Sequence, residues 1–270
     1  MILLLTILFC GCNEVTEATK ESTKGTTAST AATTSGTVAT TQTGSVQNGE
    51  SNKKPEIVRK KVALTFDDGP DDQNTVMLVD ELKRYGFNAT FFVIGKKIVE
   101  TDYGSDVLKY VVENGNEIGV HAYTHTINYS EVCSDEKYAE EIRKTEEAIH
   151  TVLPNYEIKL MRPVEGLMTD ERAAASKYPV MHWNIDTFDW KYTARDSALT
   201  MLDNIKIIKD TVITRIKEGD IVLMHEIHDN SYEAAVIILE WLYDNGYEVV
   251  TVSELLGENA QPGVRYYKAP

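Results

Sequence analysis

The stretch VALTFDDGP, residues 62–70, runs an apolar segment directly into two adjacent carboxylates, Asp67 and Asp68, and closes on Gly69 and Pro70. Val, Thr and Phe suit a strand, while Asp, Gly and Pro suit a turn, so the strand ends where the acids begin. Neighbouring like charges repel, and the pair adds nothing to stability by itself. A solvated turn accounts for these residues taken alone. The choice between a turn and a site depends on what the other strands end in.

From residue 58 onward, short β-rich runs alternate with helical patterns. The strand candidates are 62–66, 89–94, 117–121, 157–161, 179–185, 220–224 and 247–251. TVMLVDELKRYG (75–86) places Val76, Leu78, Val79 and Leu82 on one helical face and stops at Gly86. DEKYAEEIRKTEEAIHTVL (135–153) begins on Asp135 as a possible cap and pairs Glu with Lys or Arg at helical spacing. Segments 197–219 and 232–246 are also read as helices stopping at glycine. Such alternation predicts a mainly parallel sheet covered by helices, as a barrel or an open doubly wound sheet. Ligand chemistry in both gathers at the C-terminal strand ends. Asp67 and Asp68 follow the first strand, His121 the third, Arg162 the fourth, Asp186 and Asp189 the fifth, and His225 the sixth. Bases, a cation and imidazoles projected toward one rim are not a random polar loop.

His121 and His125 lie in HAYTH (121–125). Imidazoles four apart reach one point if the backbone turns tightly, and one carboxylate completes an N/N/O set with a position left for water. A dication there would also remove the objection to two adjacent acids, one binding it and the other standing beside it.

Taken together, these motifs resemble the polysaccharide deacetylases, the fourth carbohydrate-esterase family (NodB homology), from about Val58 to Leu256. The resemblance implies a distorted (β/α) barrel of about seven parallel strands. TFDDGP implies Asp67 as general base and Asp68 as metal ligand, and HAYTH implies His121 and His125 as the other ligands. RPVEG (162–166) implies that Arg162 pairs with the base. DTFDW (186–190) implies that Asp189 orients the catalytic histidine and that Trp190 lines the pocket. LMH (223–225) implies His225 as general acid, with Leu223 in the acetyl pocket. Two positions depart from the family. Ala122 stands where Ser or Thr usually follows the first His, so one loop-bracing hydroxyl is missing. Val164 and Glu165 stand where Pro and an aromatic are usual, leaving the Glu165 N–H for an oxyanion and its carboxylate at the substrate rim.

The implied activity is metal-dependent hydrolysis of N-acetyl groups on N-acetylglucosamine units of an extracytoplasmic polysaccharide, peptidoglycan first. The expected cofactor is one divalent ion, zinc ahead of cobalt or another transition metal. The alternatives are an O-acetyl esterase acting on a xylan-like polymer through the same site, and a lipid-anchored sugar-binding protein without catalysis.

The remaining sequence bears on location. MILLLTILFCGC (1–12) is almost wholly apolar, too short for the ~20 residues of a membrane span and suited to an export signal. Phe9-Cys10-Gly11-Cys12 resembles a bacterial lipoprotein cleavage box, although Phe9 replaces the usual Leu and no Lys or Arg precedes the run. Export with lipidation at Cys12, leaving the domain at the membrane facing the cell wall, is expected, with plain secretion as the alternative. Residues 13–57, rich in Thr, Ser, Ala and Gly, read as a disordered linker; 58–257 read as the catalytic domain and 258–270 as a C-terminal tail. Formal net charge is −15. Residues 1–61 hold seven Lys/Arg against five Asp/Glu, so 62–270 carry −17, which argues against nucleic acid as a partner and leaves a lipid anchor as the membrane attachment. A monomer is expected. Cys133 is the one cysteine left in the domain and reads as a packed thiol rather than a nucleophile. His182 reads as core, His150 as a helix-end cation and His228 as a loop residue or a neighbour of the site. Asp186 is either a structural carboxylate or part of the site.

Overall fold

A computed structural model of the protein describes residues 59–192 and 199–270. The expected signal at 1–12 with Cys12, and the expected linker at 13–57, lie outside the described residues. In chain order the elements are β1 (Lys60–Asp67), α1 (Asn74–Tyr85), β2 (Thr90–Ile94), α2 (Gly95–Glu100), α3 (Gly104–Glu113), β3 (Glu117–Ala122), α4 (Asp135–Val152), α5 (Asp170–Ala175), β4 (Val180–Met181), β5 (Ile185–Asp186), α6 (Met201–Ile213), β6 (Ile221–Met224), α7 (Asp229–Asp244), β7 (Tyr247–Val249), α8 (Val252–Leu256) and β8 (Arg265–Tyr266).

Parallel ladders run β5–β6–β1–β2–β3, and β7 pairs with the opening residues of β1. Single parallel bridges carry the ring onward from Val120 in β3 to Met161, and from Met161 to Val180 in β4. Only His182–Asn184 separates β4 from β5, so the chain itself completes a distorted (β/α) barrel. β1 is buried from Val62 to Asp67, as a central parallel strand covered on both faces must be. Its Leu64 and Phe66 meet Leu78, Val79 and Leu82 of α1 in one core. Each such side chain contributes about 1.5–3 kcal/mol when fully buried. α1 ends as its sequence predicts, with Gly86 in the left-handed region (φ 70°) and its N–H returned to Leu82 and Lys83 carbonyls.

Several expectations need correction. The 157–161 strand survives only as the bridges at Met161. Residues 157–160 and 177–179 both line a cavity of about 360 Å³. The 179–185 strand is broken into β4 and β5, because the His182 carbonyl turns to accept from Arg162 Nη2 (2.9 Å) and the Asn184 N–H goes to Ile221 on β6. α4 is capped by Ser134, whose side chain accepts from the Lys137 N–H, rather than by Asp135. α6 opens on a Thr200–Asp203 capping box and stops at Ile213, six residues before Gly219, which lies in the loop to β6. The 258–270 stretch is part of the domain: β8 pairs in parallel with β4, and the Ala269 N–H donates to the Gly219 carbonyl at 2.8 Å. Arg265 donates to the Met168 and Thr169 carbonyls and pairs with Asp170.

Truncation after Gly263 removes β8 together with these bonds. At about 0.5–1.5 kcal/mol net per hydrogen bond, it should lower stability by roughly 2–4 kcal/mol in urea unfolding; an unchanged midpoint would show that the segment is dispensable.

Candidate active site

The site forms where the parallel strands end. Asp67 is the last residue of β1 and Asp68 the first beyond it. Asp68 takes φ 74°, a left-handed conformation that turns its side chain away from its neighbour's direction. Gly69 follows where a Cβ would strike the Glu226 carboxylate, so no larger residue fits without displacing it. His121 is on β3 and His125 in the loop after it, also with positive φ (57°). His225 follows β6. A cavity of about 310 Å³ is lined by Asp67, Asp68, His121, His125, Glu165, Trp183, Asp186, Trp190, Leu223 and His225. Arg162 and Asp189 lie fully buried behind it.

The two acids face different partners. Asp67 Oδ1 accepts from Arg162 Nη1 at 2.8 Å, the same nitrogen also reaching Thr65 Oγ1 at 2.8 Å. Asp68 Oδ1 stands 3.4 Å from both His121 Nε2 and His125 Nε2, and it is buried with no hydrogen-bond partner. Burial pushes the Asp68 carboxyl up, yet the three neighbouring imidazoles, His121 foremost, hold it well below the usual carboxylate range. One donor atom from each of Asp68, His121 and His125 lies within 4.8 Å of the others. An orphaned, buried carboxylate oxygen facing two imidazole nitrogens fits an N/N/O divalent-metal site. His121 is oriented by its other nitrogen, with Nδ1 2.8 Å from the Arg162 carbonyl, and that contact sets the tautomer that leaves Nε2 for a ligand.

Across the cavity, Asp189 takes three bonds: His225 Nδ1 at 2.8 Å, the His225 N–H at 2.6 Å and the Trp190 N–H at 3.0 Å. Burial pulls the His225 imidazole down, but the Asp189 hydrogen bond and the charges of Asp189, Asp67 and Asp68 outweigh it and raise it to about 9. Asp186 lines the cavity while its Oδ1 accepts the Phe188 N–H at 2.8 Å, which combines the two roles left open for it. Glu165 is exposed on the wall at φ 55°, with its Oε2 held by Asn128 Nδ2 at 2.7 Å. His182 is buried and stacks on Tyr267 (centroids 4.5 Å apart). His228 caps α7 outside the cavity lining, His150 ends α4, and Cys133 is a buried free thiol.

Sequence reasoning passed over Trp183, Thr65 and Glu141. Trp183 lines the cavity from the break between β4 and β5, which a continuous strand would hide. Thr65 looked like an ordinary strand residue, and Glu141 like one member of a solvated charge run.

The chain resembles known proteins over most of its length. The polysaccharide deacetylase family model matches residues 54–182. A peptidoglycan-N-acetylglucosamine deacetylase of Bacillus cereus is 35% identical over 203 residues, covering 73% of this chain and 88% of that protein. The chain belongs to the polysaccharide deacetylase family. Peptidoglycan-N-acetylglucosamine deacetylase PgdA of Listeria monocytogenes is 34% identical over 221 residues, 80% of this chain, so the chain spans under half (44%) of that relative's length. Among solved structures of this deacetylase family, peptidoglycan deacetylase PdaC of Bacillus subtilis superposes with a TM-score of 0.65 at 34% identity, covering 74% of this chain and 91% of that one. A family 4 acetyl xylan esterase of Clostridium thermocellum, solved with a cobalt ion, gives 0.67 at 26% identity, covering 78% of this chain and all of that one.

The Arg162–Asp67 pair is buried on both sides, with side chains 0% and 4% exposed. Removing one member of such a pair leaves the other uncompensated. Arg162→Met should therefore cost about 3–5 kcal/mol in chemical unfolding, and a loss below about 1 kcal/mol would mean that water reaches Asp67.

Proposed function

We propose that this deacetylase-family chain is a metal-dependent hydrolase that removes N-acetyl groups from N-acetylglucosamine units of peptidoglycan. The observation that carries this reading is the division between the acids: Asp67 faces a buried guanidinium, Asp68 faces two imidazoles, and His225 with Asp189 stands across the same cavity. The Bacillus and Listeria relatives bear names for this activity, which supports the choice of substrate. Export with lipidation at Cys12 would place the domain against the wall, and nothing in the site requires a second copy.

Asp68, His121 and His125 would hold the ion, zinc ahead of cobalt, which when bound polarises the acetyl carbonyl and acidifies water. Asp67, aimed by Arg162, accepts the proton of the attacking water. The Glu165 N–H serves as a main-chain donor toward the oxygen on which negative charge develops. His225, braced by Asp189, gives its proton to the sugar nitrogen as the C–N bond breaks, releasing acetate and a free amine. Leu223 closes around the acetyl methyl, and Trp190 and Glu165 meet the sugar.

A binder without catalysis has no use for Asp67 and His225 together with their partners. Asp67→Asn should keep zinc and lose about 100-fold or more of its turnover, read as acetate release and as acetyl loss from muropeptides by mass spectrometry. Chelation should abolish release, and zinc or cobalt should restore it; full activity in the variant would overturn Asp67 as the base, full activity in the stripped protein would overturn the metal dependence, and no release by the zinc-loaded parent would overturn the hydrolase reading. Acetylxylan in parallel tests the esterase alternative, since faster release from the ester than from muropeptides or chitin oligomers would reassign the substrate.

The His225 pKa, raised to about 9, gives the pH profile its sign. The acid must be protonated, so kcat/KM falls as pH climbs through that value, and a nearby dication moves this limb lower. Asp189→Asn removes the raising carboxylate and should shift the basic limb further toward neutrality. A limb that stays in place would show that another group supplies the proton.

A further inference from the structure

The HAYTH loop lacks the hydroxyl usual after its first histidine, because Ala122 stands there, yet it holds His125 in a left-handed conformation that non-glycine residues adopt at a cost. The restraint comes from α4. Glu141 is 1% exposed, and three of its bonds reach the loop. Its Oε2 accepts the Tyr123 N–H at 2.9 Å and the Thr124 N–H at 2.8 Å, and its Oε1 accepts Thr124 Oγ1 at 2.8 Å. Lys137 Nζ, one turn earlier on α4, sits 2.9 Å from Oε1. Thr124 Oγ1 also lies 2.8 Å from Thr126 Oγ1, so the brace extends to both sides of His125.

A buried carboxylate is costly unless its lone pairs are used. Here three of the bonds go to Tyr123 and Thr124 between the two imidazoles, and Lys137 of the same helix shares Oε1. His121 needs no such help: the Arg162 carbonyl holds its ring, and the Tyr129 hydroxyl donates to its carbonyl at 3.0 Å. His125 depends on the path of the loop.

We infer that Glu141 is a positioning residue for the metal site, fixing Tyr123 and Thr124 so that His125 is presented beside Asp68 and His121, in place of the hydroxyl absent at Ala122. This rests on the metal-binding reading above. It concerns affinity for the ion and takes no part in the proton transfers.

Zinc dissociation constants, measured by competition with a chromophoric chelator, test it in the full chain alongside thermal unfolding of the metal-free protein. Glu141→Leu should bind zinc about 10- to 100-fold more weakly and change the visible spectrum of the cobalt-loaded protein. Glu141→Gln, which keeps an oxygen for both loop N–H groups, should stay close to the parent. Glu140→Gln, on the exposed face of the same helix, should match the parent. A folded Glu141→Leu protein with parental zinc affinity and only a lowered melting temperature would overturn the inference, since a merely structural acid behaves that way. If Glu141→Leu does not fold, Thr124→Val decides: several-fold weaker zinc binding supports the brace, and parental affinity overturns it. A parent protein that takes up no zinc would overturn the metal reading and this inference with it.

Discussion

One buried guanidinium organises the mouth of the barrel. Arg162 has no exposed surface, and residues of β1, β2, β3 and the β4–β5 break all touch it. Its N–H donates to Val120 on β3 at 2.8 Å, and its carbonyl lies 2.8 Å from the His121 ring. Its fork reaches Thr65 and Asp67 on β1 and the His182 carbonyl past β4. Its plane lies over Phe92 of β2, 4.3 Å from the ring centroid. A buried cation is tolerated only where such partners converge, so seating this one residue brings four parts of the barrel into register at the point where chemistry is needed. The segment carrying it is barely a strand, held by bridges at Met161 alone, and the side chain supplies the cohesion that a ladder would otherwise give.

That constraint also explains how adjacent acids can do different work. Successive residues of a strand point to opposite sides, and the switch to positive φ at Asp68 takes the second acid out of the strand altogether. Asp67 is left facing the guanidinium, and Asp68 is delivered to the imidazoles. The Arg162 guanidinium offsets the charge of Asp67, and Asp68 faces an N/N/O donor set that fits a divalent ion.

The long, periodic pieces of the fold were legible from sequence. β1, β2, β3, β6 and β7 fall where their apolar runs do, α1 stops at its glycine, and Asp67, Asp68, His121 and His225 at the ends of β1, β3 and β6 share a cavity. What escaped reading is short or tertiary in origin. Two-residue strands such as β4, β5 and β8 carry no period to detect. The break at His182–Asn184 arises because distant partners claim those backbone groups, and nothing local announces it. Glu141 is hardest of all, since α4 is rich in Glu and Lys at helical spacing. Glu140 and Glu147 beside it are 40% and 61% exposed at the side chain, whereas Glu141 is 2%. Charge pattern cannot say which acid of such a run turns inward.

The direction of β1 has a consequence for how the domain is presented. It runs from Lys60 to Asp67, with Arg59 laid over the Tyr243 ring at its start and the cavity at its finish. Eight residues at about 3.3 Å each put the point where the preceding chain joins the barrel at the pole opposite the opening. A molecule entering the opening therefore approaches from the pole that Arg59 and Lys60 do not occupy.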